Sequence, residues 1–295
     1  GARRRPSKES LERIDVLLFD LQDVGARMYT YISTLGEVMT AAGEAGVKVV
    51  VLDRPNPLGG LRFEGPVMPE EWESFISWGS LPMTHGMTMG EIARLWKERP
   101  GVSCELDVVR MSGWERSMVW EDTGLEWLQS SPHIPHPVNA HLYLATGAIG
   151  ESFEGVHCGV GYTTPFQVLA APGLDENALA DAMNERGLSG VRFLPFITRP
   201  FYGEQEGVEV RGVRLILTDE RSFRPVRTAL ALLIELHGQL GEELRLKSER
   251  AFAIRWGGAE LFERVTAGAT LEELEASFVD GLKEFEEVRA ELLLY

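Results

Sequence analysis

Three polar side chains, Asp20, Gln22 and Asp23, stand in LLFDLQDVGARMYTYISTL (17–35), where an apolar run gives way to a glycine and a Tyr-rich segment of helical spacing. A second cluster, Asp53, Arg54 and Asn56, follows the apolar run VKVVVLD and lies in VLDRPNPLGG. Carboxylates, an amide and an arginine in these positions suit a pocket for a hydroxyl-rich ligand or a metal. They equally suit plain capping of the helices and loops that follow. The prolines around Arg54 and Asn56 fix the local backbone.

Two glutamates have surroundings that could tune an acid. Glu64 in RFEGPVMPE sits between Phe63 and Gly-Pro, and partial desolvation there would raise a carboxyl toward a general acid. Glu151 in ATGAIGESFEG follows glycines that admit close approach, with Glu154 three residues on. Each alone also reads as a solvated loop glutamate. Brought to roughly 5–10 Å they would form a pair for glycoside chemistry.

The histidines divide. His85 stands just before an expected helix start, where it is a candidate ligand group or a backbone-bonded histidine. His133, His136 and His141 fit no common zinc spacing, and the prolines between them forbid a shared helical face. His157 and Cys158 are adjacent, so on a strand they would point to opposite faces and form no dyad. No G-x-G-x-x-G, G-x-x-x-x-G-K-[ST] or G-x-S-x-G motif occurs, which removes the common nucleotide loops and the nucleophile elbow. Trp72, Trp78, Trp114, Trp120, Trp127, Tyr29 and Tyr31 could stack on sugar faces or simply fill cores.

The elements that position these residues follow from periodicity. Residues 14–22 do not alternate, so they read as a strand buried on both faces. Residues 26–45 read as a helix and 47–53 as a second buried strand. This βαβ unit makes the strands parallel and puts both polar clusters on one sheet edge, where ligands of open α/β sheets bind. Thr88 and Glu91 have capping-box spacing, predicting a helix from about Met89. Residues 104–110 read as a third strand. From Trp114 to Thr164 the pattern weakens, and SSPHIPHPVNAHLY is not expected to form a regular helix. Beyond Pro172 the pattern predicts a helix at Asp175–Arg186, strands in VRFLPF and VEVRGVRLILTD, an apolar helix from Pro225 to Gly238, and one long terminal helix opened by Thr270 and Glu273. The fold class is α/β: a Rossmann-like, mostly parallel domain over 1–168, then a smaller α/β domain over 169–295.

The 295 residues carry a net charge of −16 and 44% apolar residues, enough for a real core. The acidic balance argues against a broad nucleic-acid or anionic-membrane surface. No apolar run approaches the ~20 residues of a membrane span. Cys104 and Cys158 form no framework and read as two inert thiols. GARRRPSKES lacks the apolar stretch of a signal peptide and opens almost at a strand, so the natural N-terminus is expected to lie further upstream.

Several stretches together resemble one family: DLQDVGARMYTYISTL, VVVLDRPNPLGG, EGPV, HGMTMGEIA, SPHIP, GVGYTTPF, GVRLILTD and the terminal LLLY. They resemble the NamZ/YbbC-type exo-β-N-acetylmuramidases, once known only as a domain of unknown function, across essentially the whole chain. The resemblance implies a glycosidase that removes terminal N-acetylmuramic acid, or a related amino sugar, from peptidoglycan fragments. It implies two α/β domains with the site between them. By motif it points to Glu64, to Asp20, Gln22, Asp23 and Arg27, to Arg54 and Asn56, and to His85. Glu64 is then the acid/base candidate and Glu151 the second carboxylate. Asp20 and Asp23 would hold hydroxyls, and Arg27 or Arg54 would pair with the lactyl carboxylate. No cofactor is implied, and the expected partner is the sugar substrate. Family members usually carry a further N-terminal segment with a Pro-Glu-His-Gly motif that is absent here. The segment around Glu151 and GVGYTTPF depart from the family pattern. The alternatives are therefore a sugar-binding protein without turnover, or a metal-dependent phosphoesterase using Asp20, Asp23 and Asp53. Family members occur both exported and internal, with a lean toward the envelope or outside.

Overall fold

The computed structural model describes residues 4–201 and 203–295. After a short helix α1 (Lys8–Leu11), strand β1 (Val16–Phe19) leads to α2 (Tyr31–Ala45) and β2 (Lys48–Leu52). Helix α3 (Met89–Lys97) then precedes β3 (Leu106–Val109). The three strands form a parallel sheet in the order β1-β2-β3, with Val16 opposite Lys48 and Val49 opposite Leu106. The βαβ reading holds. Helix α2 begins at Tyr31 rather than at residue 26, because Gly25 takes a φ of 76° and Ala26 forms an isolated bridge with Thr84. Helix α3 starts at Met89 as the capping box requires. Thr88 Oγ1 accepts from the Glu91 N–H, and Glu91 Oε2 accepts from the Thr88 N–H.

Among the described residues, only one face of this sheet is covered. Phe19, Val49 and Val51 pack with Ile32, Leu35 and Met39 of α2 and Ile92 and Trp96 of α3. On the other face Val16 is 43% exposed, Leu18 61% and Val109 53%. The expectation that β1 is buried on both faces is thus corrected: among the described residues the covering helices lie on one side alone, and alternate side chains of β1 point away from them.

The second half is built around an antiparallel sheet in the order β4-β6-β5, from β4 (Val168–Ala171), β5 (Val191–Thr198) and β6 (Val210–Leu217). Before it lie α4 (Pro137–Leu142), a π-helical turn over Tyr143–Gly147 and α5 (Ala148–Gly150). The sequence pattern missed this helical run. Pro137 occupies the first helical turn, where its missing N–H costs nothing, while Pro132 and Pro135 stay outside. Helices α6 (Glu176–Glu185), α7 (Pro225–Leu240), α8 (Glu249–Trp256) and α9 (Glu260–Thr266) complete this half. The expected single terminal helix is two, α10 (Leu271–Ala276) and α11 (Val279–Ala290). The break lets Phe278 pack on the larger core while Phe285 packs on the parallel-sheet core.

The two cores interlock. The loop after β1 sends Val24, Ala26, Met28 and Tyr29 into the core of the second half. In return, Phe285 and Leu292 join the core under the parallel sheet. Cys104 and Cys158 are both free and buried. No helix among the described residues is long and apolar enough to cross a membrane.

Candidate active site

The carboxyl edge of the parallel sheet opens into a pocket of about 440 Å³ lined by Asp20, Asp53, Arg54, Trp114 and Asp122, among others. Arg54 Nε donates to Asp20 Oδ1 at 2.6 Å. Asp53 is spoken for within the fold. Its oxygens accept from Thr88 Oγ1, the N–H groups of Gly90 and Arg54, and the Tyr295 hydroxyl. Burial pushes its carboxyl upward, and these bonds pull the other way. Thr88 therefore both caps α3 and holds Asp53. Thr88→Ala is expected to lower the unfolding free energy by about 1–2 kcal/mol, read as the shift of a urea transition.

Just inside this edge the polar side chains are buried and bonded to backbone groups, while Gln22 Oε1, Asp23 Oδ1 and His85 Nε2 make no hydrogen bond to the described residues. Gln22 Nε2 donates to the carbonyls of Asp23 and Pro55. Asn56 Nδ2 donates to Met87 O, and its Oδ1 accepts from the Leu58 N–H. Gly25 is required here, since a Cβ would fall 2.4 Å from Asn56 Oδ1. Asp23 Oδ2 accepts from the Gly25 N–H at 2.7 Å and lies 3.2 Å from His85 Nε2. The Met87 N–H donates to His85 Nδ1, which leaves the imidazole proton on Nε2, facing Asp23. The structure thus brings Gln22, Asp23, Asn56 and His85 together. Arg27 is wholly buried, and its guanidinium donates to the carbonyls of Pro66, Leu81 and Arg255. Burial brings its pKa down to about 9.

Glu64 stands at the seam between the two halves. Its backbone pairs with Thr84, and its Oε1 accepts from Arg224 Nε at 3.2 Å. Arg224 is the N-cap residue of α7, far along the chain. Burial pushes the Glu64 carboxyl upward, opposed by Arg224 and Arg62. Glu64 borders a groove of about 330 Å³ lined by Phe63, Arg224, Arg227 and Phe278. It also borders a small cavity lined by Arg62, Thr84, His141, Glu220 and Phe223. Glu64 Oε2, Thr84 Oγ1 and His141 Nε2 are buried with no hydrogen-bond partner among the described residues.

Of the three clustered histidines, His136 is the N-cap residue of α4, His133 is half-buried, and His141 is buried. Burial, aided by Arg62, brings His141 from 6.5 down to about 4. Its folded pKa is lowered, so its contribution is intact above the unfolded value and is lost as pH falls from about 6.5 toward 4. The slope is about 1.4 kcal/mol per pH unit. Between pH 7 and 5, denaturant unfolding of His141→Gln should therefore lose about 2 kcal/mol less stability than the wild type.

Glu151 is exposed and lies 3.5 Å from Arg255 Nη2. It lines a different pocket, with His157, Cys158, Tyr162 and Lys247. The structure therefore does not bring Glu151 and Glu64 into one pocket. The buried phenol of Tyr143 lies within electrostatic reach of both Glu151 and Asp23, and burial pushes its pKa upward. Burial also pushes the Cys158 thiol up to about 12. Sequence reasoning missed Arg62, Arg224 and Tyr143. The signal for Arg224 was Arg-Pro at a helix start, since a residue before proline is held extended. Nothing local tied it to residue 64.

Comparison with known proteins places the chain in a family. A family model described as "Exo-beta-N-acetylmuramidase NamZ, N-terminal" matches residues 1–138, and one described as "Exo-beta-N-acetylmuramidase NamZ, C-terminal" matches residues 141–295. The chain is 35% identical over 297 residues to the peptidoglycan beta-N-acetylmuramidase NamZ of Bacillus subtilis (strain 168), spanning 100% of this chain and 71% of that protein. A DUF1343 family protein from Bacteroides fragilis NCTC 9343 superposes with a TM-score of 0.92 at 36% identity, over 100% of this chain and 78% of that one. A second protein of that family and organism, at 23% identity and a TM-score of 0.75, shares the fold. With both halves matched and a relative at this identity over the whole of this chain, the chain belongs to the NamZ exo-β-N-acetylmuramidase family.

Proposed function

We propose that this protein is a glycoside hydrolase that removes a terminal N-acetylmuramic acid from peptidoglycan fragments. The observation that carries the site assignment is Glu64: a carboxyl 5% exposed, pushed toward its acid form by burial, with one oxygen unpartnered. That is the state a general acid needs before it protonates a leaving glycosidic oxygen. Its bond to Arg224 joins the parallel-sheet half to the antiparallel-sheet half, so we place the sugar cleft at that seam. Glu151, the second carboxylate expected from the sequence, opens into a different pocket, so it is not the partner of Glu64 in this reading. Gln22, Asp23, Asn56 and His85 form the bonded wall behind the loop after β1. Asp20 and Arg54 offer groups for sugar hydroxyls at the sheet edge. This chemistry needs carboxylates and water, and no cofactor enters it.

The test is release of chromophore from an aryl β-N-acetylmuramide, run beside the matching β-N-acetylglucosaminide. Turnover of the muramide, with the glucosaminide at least tenfold slower in kcat/KM, is expected from a site tuned to the lactyl group, at roughly 1.4 kcal/mol per tenfold. Equal turnover of both, or none of the muramide by folded protein, would refute the assignment.

A further inference from the structure

A residue that reads the lactyl group has meaning only on the muramide reading, and that reading needs a cation near the acid. The group that separates N-acetylmuramic acid from N-acetylglucosamine is a carboxylate hung from the oxygen on C3, two carbons from the carbon where the acid acts. On a chain of net charge −16, that carboxylate has to be read by a local cation.

Most nearby arginines are engaged. Arg27 spends its donors on three buried carbonyls. Arg54 is paired with Asp20, Arg224 with Glu64 and Glu275, Arg227 with Glu272 and Glu275, and Arg255 with Glu151. Arg62 differs. It is exposed and, among the described residues, has no ion pair. Its Nη1 donates to the Phe223 carbonyl at 2.9 Å, which tethers the guanidinium across the seam. Nε and Nη2 make no bond to the described residues. Arg62 lines the same cavity as Glu64, and its charge is felt by both Glu64 and His141. The ionisable groups around that cavity are Glu64, His141 and Glu220, with Arg224 beyond Glu64.

We propose that Arg62 is the residue that recognises the lactyl carboxylate, and so sets the preference for muramic acid over glucosamine. A guanidinium anchored by one nitrogen, with its remaining edge open, suits a carboxylate in the two-point manner that a lysine cannot reproduce. The anchor comes from the loop before α7, so recognition depends on both halves being in place.

The experiment compares kcat/KM of wild type, Arg62→Gln and Arg62→Lys on an aryl β-N-acetylmuramide and on the same muramide with its lactyl carboxyl methylated. Wild type should lose about thirty- to a hundredfold on methylation, the worth of a charge-assisted pair. Arg62→Gln should lose a similar factor on the free acid and respond little to methylation. Arg62→Lys should fall between. If Arg62→Gln keeps the wild-type rate and the wild-type ratio between the two substrates, the assignment of Arg62 falls while the muramidase reading stands. If the folded wild type releases nothing from the free-acid muramide, both fall together.

Discussion

Glu64→Gln should reduce kcat/KM on a muramide by about 10²- to 10⁴-fold, the range for loss of a positioned general acid. The substitution keeps shape and volume. The amide oxygen can still accept from Arg224 Nε, and no charge is left stranded in the seam. Folding stability at neutral pH should therefore be unchanged or slightly higher, which separates a lost proton from a lost fold. The fall should appear in kcat more than in KM, because the proton is transferred only in the transition state. The pH profile adds a second readout. A general acid must hold its proton, so activity declines as pH rises through the Glu64 pKa. Burial raises that pKa and carries the alkaline limb upward with it. Arg224 acts in the opposite direction by favouring the carboxylate, so Arg224→Gln should move the alkaline limb to still higher pH. Activity of Glu64→Gln within a few-fold of wild type would remove Glu64 from the mechanism.

Arg27→Met should be the most destabilising single change at these sites, costing about 3–5 kcal/mol. One guanidinium joins three segments. Its Nη1 donates to Pro66 O and Leu81 O at 2.6 Å each, and its Nη2 donates to Arg255 O at 2.7 Å. Methionine fills part of the volume but leaves those carbonyls without donors. For a chain of this size the loss corresponds to a fall in Tm of roughly 10 °C. Arg27→Lys keeps a charge but offers a compact ammonium in place of a planar fork, and should recover only part of it. Thermal unfolding measures both. A Tm for Arg27→Met within a degree or so of wild type would mean that the three carbonyls find other donors.

These two residues show what the linear pattern carries. The strand that ends near Asp20, the βαβ crossover and the start of α3 are set by local periodicity and by the Thr88–Glu91 pair, so they were readable. The edge cluster Gln22, Asp23 and Asn56 follows from parallel strands ending together. Arg27 matched a motif, yet its motif could not tell a ligand-facing guanidinium from one locked onto carbonyls. That depends on Pro66, Leu81 and Arg255, segments up to 228 residues away in sequence. Glu64 was legible as a candidate because its neighbours are apolar. Its partner was not, since the contact to Arg224 spans 160 residues. The split of the last helix likewise follows from where Phe278 and Phe285 find their cores, and no local breaker marks it.

The reach of the C-terminal residues onto the parallel sheet bears on how the chain is made. Tyr295 bonds Asp53 and the Met111 N–H, its ring meets Trp114, and Arg94 holds the carbonyls of Leu292 and Leu293. The Met111 contact links positions 184 residues apart. At ordinary synthesis speeds the ribosome needs roughly 10–40 s to cover that distance. Throughout that interval β1–β3 have emerged while their carboxyl edge lacks its final side chains and Phe285 is not yet there to seal the core. The nascent sheet is then the form most exposed to chaperones and to aggregation, until the segment carrying Phe285 and Tyr295 has been made.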